Sequence, residues 1–141
     1  MMLLFSCGKK TERIEEPVKI LKTSDTVQVL KAAQTDTIIS TKYANKRFRE
    51  VTVQKLDDHK FRVRGQGQIF EASFSWIVED GHFELAKGFE MTDAGAPEWG
   101  NFDFTLDVSK KDANTTLTLI LFEISAKDGS RQYELPIPLK E

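Results

Sequence analysis

Phe70-Glu71-Ala72-Ser73-Phe74-Ser75-Trp76-Ile77-Val78 is the stretch that decides the fold class of this chain. Its large apolar groups recur with a period of two, which places Phe70, Ala72, Phe74, Trp76 and Val78 on one face of a strand. The same alternation extends outward in both directions. From Phe48 onward it predicts seven strands: 49–55 (Val51 and Val53 inward), 60–65 (Phe61, Val63), 69–79, 82–91 (Phe83, Leu85), 101–108 (Phe102, Phe104, Leu106, Val108), 115–124 and 132–139 (Tyr133, Leu135, Ile137, Leu139). The sixth is apolar on both sides over its second half, which suits a central strand.

The punctuation between these runs agrees. Asp80-Gly81 and Asp128-Gly129 are dipeptides favoured in type I′ hairpins, where both positions take positive φ. Asp57-Asp58 separates the first two runs, and 110–114 forms a longer polar link. Pro136 and Pro138 each lack an N–H, so the last strand belongs at an edge. Seven short strands with no amphipathic helix point to an all-β, two-sheet antiparallel sandwich of the immunoglobulin-like kind, with a closed barrel as the alternative. Trp76, on the third strand, stands where such a core keeps a buried Trp, but no cysteine pair flanks it.

Length and composition allow one domain plus a tail. The 141 residues are 40% hydrophobic and 30% charged, and ten Phe supply the bulk of one core. Residues 1–60 carry 12 Lys/Arg against 8 Asp/Glu, whereas residues 61–141 carry 8 against 14. An acidic folded part repels phosphate backbones, which argues against nucleic acid as a partner. No apolar run approaches the ~18–20 residues of a transmembrane helix.

Cys7 is the single cysteine, so the domain must hold together by packing without an internal disulfide. Met1-Met2-Leu3-Leu4-Phe5-Ser6 precedes it and Gly8 follows, resembling the end of a bacterial lipoprotein signal in which the thiol receives a lipid. Six residues fall short of a full signal peptide, so residues 1–7 read as the truncated end of one. Residues 8–47 are polar and rich in Lys, Glu, Thr, Ser and Gln, and read as a tether, with docking of a segment near 26–31 as the competing reading. As a flexible coil, the tether would reach ~30–35 Å. The organisation expected is therefore 1–7 lipid-attachment signal, 8–47 linker and 48–141 β-sandwich. It places the chain in the cell envelope, extracytoplasmic and held to the membrane through lipid on Cys7.

Three stretches together resemble one known family. Val63-Arg64-Gly65-Gln66-Gly67-Gln68-Ile69-Phe70-Glu71-Ala72 is similar to its strand–Gly–x–small–x–x–Phe–Glu turn. The run from Thr92 through Asp93-Ala94-Gly95-Ala96-Pro97-Glu98-Trp99-Gly100-Asn101 to Phe102 resembles its Gly/Ala/Pro loop before a Trp-Gly-x-Phe strand start. Glu123-Ile124-Ser125-Ala126-Lys127-Asp128-Gly129-Ser130 resembles its Glu-x-Ser-Ala-x-Asp-Gly-Ser hairpin. The family is the immunoglobulin-like domain of bacterial spore-germination proteins. The chain departs from its pattern at 54–59, where Pro and Gly are replaced by Gln54-Lys55-Leu56-Asp57-Asp58-His59. The resemblance implies an extracytoplasmic β-sandwich, often attached to lipoproteins, with no catalytic residues to carry over.

Chemistry-bearing motifs are sparse. Trp99, with Asp93, Glu98 and Asn101 close in sequence, forms the one loop that combines an aromatic with amide and carboxylate groups, a composition that grips sugars or peptides. Its structural alternative is a Trp that folds over the open end of the sandwich and plugs it. His59 and His82 lack metal-ligand spacing, and the aspartates at 57, 58, 93, 103, 107 and 112 lack the D-x-D-x-D-G order of a Ca²⁺ loop, so neither metal nor cofactor is expected. There is no G-x-S-x-G elbow, and Gly65-Gln66-Gly67 opens no helix and cradles no phosphate. The expectation is a non-catalytic envelope lipoprotein that binds a protein or cell-wall glycan. A structural spacer and, less favoured, a wall hydrolase are its alternatives.

Overall fold

The computed structural model describes residues 40–140; Cys7 and residues 8–39 of the expected linker lie outside the described residues. Seven strands form: β1 (Phe48–Asp57), β2 (Lys60–Gly67), β3 (Ser73–Asp80), β4 (Phe83–Met91), β5 (Gly100–Asp107), β6 (Leu117–Ile124) and β7 (Arg131–Pro138). They make two antiparallel sheets, ordered β1-β2-β5 and β4-β3-β6-β7. The sandwich expected from the alternation is thus what the chain builds. In β5 the pattern is complete: Phe102, Phe104 and Leu106 are buried, and Asn101, Asp103, Thr105 and Asp107 are exposed.

The interior lies between the sheets. Phe48, Val51, Phe61 and Val63 face Phe74, Val78, Leu119 and Leu121 across it. At its centre Phe74 meets Phe48 edge-on at 5.3 Å and Phe102 at 4.9 Å, and Trp76 stacks on Phe104 at 5.9 Å. Such pairs contribute ~0.5–1.5 kcal/mol beyond the burial of their area. Trp76 is half-buried against this cluster rather than wholly enclosed. Strand β6 is central, as its two-sided apolarity predicts: Leu117, Leu119 and Leu121 point inward, while Ile120 and Phe122 join Ile77 in a second apolar cluster on the other face. Strand β7 is an edge, with Pro136 and Pro138 opposite Ile120 and Thr118.

Four sequence expectations are corrected. The third strand starts at Ser73, because Phe70–Ala72 is a 3₁₀ turn in which Glu71 (φ 61°) and Ala72 (φ 55°) turn the chain from one sheet to the other. That turn breaks the period: Ile69 takes the core position and Phe70 is left 70% exposed. Phe83 is likewise 71% exposed, at the hairpin end of β4 opposite Asp80. The register shift opposite Val78 and Glu79 inserts Leu85 as a bulge that reverses the alternation from Ala86 onward and turns Phe89 and Met91 outward. Asp80 pairs with Phe83, so the hairpin loop is Gly81-His82, with positive φ at Gly81 (64°) only, as in a type II′ turn. The 125–130 hairpin is a four-residue loop closed by the Ser125 N–H donating to the Ser130 carbonyl (2.9 Å), and Gly129 (φ 73°) alone is left-handed. Strand register decides which residues occupy a turn.

The last residues assigned to the linker are hydrogen-bonded to the sandwich. Tyr43 exchanges two backbone bonds with Val51 (2.8 and 3.1 Å), and Asn45 Nδ2 donates to the Tyr133 carbonyl at 2.7 Å. The Arg47 guanidinium lies 4.8 Å over the Tyr133 ring and 3.3 Å from Glu123 Oε1.

Candidate ligand-binding corner of the three-stranded sheet

Antiparallel pairing puts Arg49, Gln66 and Asn101 side by side on one rung of β1, β2 and β5. Their side chains form a continuous row on the solvent face. Arg49 Nε donates to Gln66 Oε1 (2.8 Å), Gln66 Nε2 to Asn101 Oδ1 (2.9 Å), and Asn101 Nδ2 to Asp93 Oδ2 (2.9 Å). Asp93 Oδ1 also accepts the Asn101 backbone N–H at 2.5 Å. These two Asn101 donors hold the Asp93 carboxyl below the usual carboxylate range. At the far end of the row the Arg49 guanidinium covers the Trp99 ring, 4.1 Å from its centroid.

The 92–99 loop is anchored to this rung. Gln68 Nε2 donates to the Pro97 carbonyl (2.6 Å), Thr92 Oγ1 to the Ala94 carbonyl (2.7 Å), and the Ala96-Pro97 bond is cis. Gly100 allows the loop to close on the strand: a Cβ there would lie 2.2 Å from the Ala94 carbonyl oxygen. Of the four residues singled out by sequence, Asp93 and Asn101 meet directly and Trp99 joins them through Arg49. Glu98 is exposed and takes no part in the row. Trp99 is half-buried beneath Arg49 and is not among the residues that pack against the core, so the plug reading gives way to an aromatic–guanidinium stack.

Below the row lies a shallow cleft of about 540 Å³, lined by Glu50, Arg64, Gly65, Gln66, Asn101, Phe102 and Asp103. Glu50 sits at a bulge (φ 54°) and pairs with Lys42. Asp103 takes a two-pronged contact from Arg62, Nε to Oδ1 at 2.8 Å and Nη2 to Oδ2 at 2.6 Å. That contact lowers the pKa of Asp103 and raises that of Arg62. Arg64 makes no ion pair among the described residues. The cleft thus offers fixed amides, two neutralised carboxylates and one available guanidinium. That is hydrogen-bonding chemistry for a polar ligand, with no nucleophile–base pair.

Sequence reasoning missed Arg49, Gln66 and Arg64, which lie far from Trp99 along the chain. Only the period-two outward phase of β1 and β2 marks them as solvent-facing, and nothing in one sequence fixes the rung. It also missed the buried Asp80, whose carboxylate accepts the Thr115 hydroxyl and the Lys111 N–H (2.7 Å) and is held below its ordinary pKa by them. His59 and His82 are exposed at turns, and no group of three His, Cys, Asp or Glu converges among the described residues.

The model of the immunoglobulin-like domain of bacterial spore germination, Gmad2, matches residues 51–130, more than half of the chain. This chain belongs to that family. The match carries the three stretches that resembled it, and it covers β2 to β6 entire together with most of β1. Strand β7 lies beyond the matched residues and completes the four-stranded sheet of this Gmad2 domain. Comparison with curated proteins and with solved structures finds no match.

Proposed function

We propose that this Gmad2 protein is a non-catalytic, lipid-anchored module of the bacterial cell envelope that binds a cell-wall glycan along the Arg49–Gln66–Asn101–Asp93 row. The row itself is the observation that carries the reading. Planar amides already held by neighbours meet a polyhydroxylated ligand without first losing side-chain entropy. Gln66 and Asn101 each keep one N–H and one lone pair for it. Arg64 and the Trp99–Arg49 stack border the same face. The sequence around Cys7 and the polar linker support an anchored, extracytoplasmic location.

Binding of the full-length chain to purified cell walls and to soluble wall-glycan fragments tests this. Gln66→Ala and Arg64→Ala should each weaken binding about tenfold, the scale of one or two lost hydrogen bonds, with the unfolding temperature kept. Absence of binding to any wall preparation refutes the glycan. Incorporation of a fatty-acid probe, lost in Cys7→Ala, tests the anchor separately. One observation favours a second reading, a structural spacer: the row is bonded within itself. In that case the same substitutions change stability alone.

A further inference from the structure

Two sheets present four edges, and three of them are protected. β1 is bridged by Tyr43 and bulged at Glu50. β7 carries Pro136 and Pro138 and a left-handed Tyr133 (φ 55°). β5 shows a polar exposed row, Asn101, Asp103 and Asp107. Folded proteins use such devices to keep edge strands from pairing. Among the described residues β4 has only the charges of Lys87 and Glu90 over Ala86–Met91: no proline, regular pairing with β3 and no strand on its outer side. Yet Phe89 is 70% and Met91 64% exposed, beside Ile124 at 58%. A groove of about 380 Å³ runs between Phe89, Phe122, Ile124 and Arg131 on the same face.

We propose that this edge is a self-association surface, on which β4 of a second copy pairs antiparallel about Phe89 to join the two four-stranded sheets. Charge selects the occupant and the register. A two-fold axis perpendicular to a sheet keeps every side chain on its own face, so only pairings of like parity are open. Centring on Lys87 or on Glu90 opposes like charges. Centring on Gly88 sets Met91 against the bulged Leu85. Centring on Phe89 places Phe89 against its copy, Lys87 against Met91 and Gly88 against Glu90, with no like charges opposed.

The last pairing answers an unsatisfied group. The Trp76 indole covers Gly88, where a Cβ would lie 2.6 Å from Cζ2, and its Nε1 is buried with no hydrogen-bond partner. Glu90 of the second copy comes to Gly88 on that face, bringing a carboxylate acceptor to the orphan donor. One strand pair buries less than the ~1,200 Å² of a standard interface, so the dimer is weak.

Sedimentation of the full-length chain, carrying Cys7→Ser to exclude disulfide dimers, tests the proposal at concentrations up to about 1 mM. The expected result is concentration-dependent dimerisation, with the Trp76 Nε1–H resonance shifting as dimer forms. Met91→Lys opposes Lys87 twice across the axis and should weaken association about tenfold. Adding Lys87→Glu to Met91→Lys should restore it. Met91 and Lys87 are exposed, and an unchanged circular dichroism spectrum confirms the fold. A chain that stays monomeric at ~1 mM overturns the proposal and leaves the edge to a strand from another protein. Dimerisation indifferent to Met91→Lys, or a double variant without recovery, overturns it equally.

Discussion

Gly65→Ala tests a close approach within the three-stranded sheet, where Val51 of β1 and Phe102 of β5 crowd the β2 backbone. A Cβ at Gly65 would stand 2.7 Å from Phe102 Cζ, 2.9 Å from Val51 Cγ2 and 3.1 Å from Val51 Cα. Carbon atoms settle at ~3.5–4.0 Å, so something must withdraw by roughly 1 Å. Val51 is held by its two backbone bonds to Tyr43. The displacement therefore falls on Phe102, whose ring touches Phe74 at 4.9 Å and Phe48 at 6.3 Å. Overpacking of this kind costs ~1–3 kcal/mol. Ala recovers ~0.4–1 kcal/mol by narrowing the unfolded ensemble, since φ at Gly65 is open to any L-residue. The net loss is ~1–2 kcal/mol, a fall in Tm of about 5–15 °C for a domain of this size. Thermal unfolding followed by circular dichroism measures it. In a Phe102→Leu background the cost should fall by about half, because the two sites share a contact. A Gly65→Ala variant that melts within about 2 °C of wild type would refute the close approach of Val51 and Phe102 over this glycine.

Three further outcomes follow from the geometry. Phe74→Ala should cost ~3–5 kcal/mol in urea unfolding, whereas Phe70→Ala, at the exposed 3₁₀ turn, should stay within ~0.5 kcal/mol; equal costs would restore Phe70 to the strand. The Asp93 pKa is lowered by Asn101, so its contacts add stability above the ordinary carboxylate pKa and lose it as pH falls through the folded value. The stability gap between wild type and Asp93→Ala, from urea titrations, should be constant above about pH 5 and shrink below about pH 4. Glu123 moves the other way: burial raises its pKa, against the pull of Arg47. The folded state then holds the extra proton, and stability declines as pH rises from about 4.3 toward the raised value. Glu123→Gln should remove that decline, measured over the same series.

The fold class was legible because side-chain alternation is local. Phe102, Phe104 and Leu106 in β5, and the two-sided β6, declare their strands without reference to anything distant. The prolines of β7 did the same for its edge position, since a missing N–H is a property of the residue. The family too was readable from motifs in chain order. The local pattern failed at two irregularities: a 3₁₀ turn between β2 and β3 takes Phe70 out of the alternation, and the bulge at Leu85 reverses it along the rest of β4. The first lies where the chain passes from one sheet to the other, and the second is a matter of pairing between β3 and β4.

The sequence by itself determined an all-β sandwich without disulfide support, the approximate strands and a loop around Trp99 rich in polar groups. Tertiary structure alone decided that Arg49 and Gln66 stand beside Asn101, that Trp99 lies under a guanidinium, and that β4 is an edge with Phe89 and Met91 exposed along it. The physical reason is register. Which residues share a rung depends on hydrogen bonds between residues up to 47 positions apart, as from Lys60 to Asp107, and each bulge moves that pairing by one residue. Periodicity tells a side chain which face to take; only the neighbouring strand tells it what it will meet there.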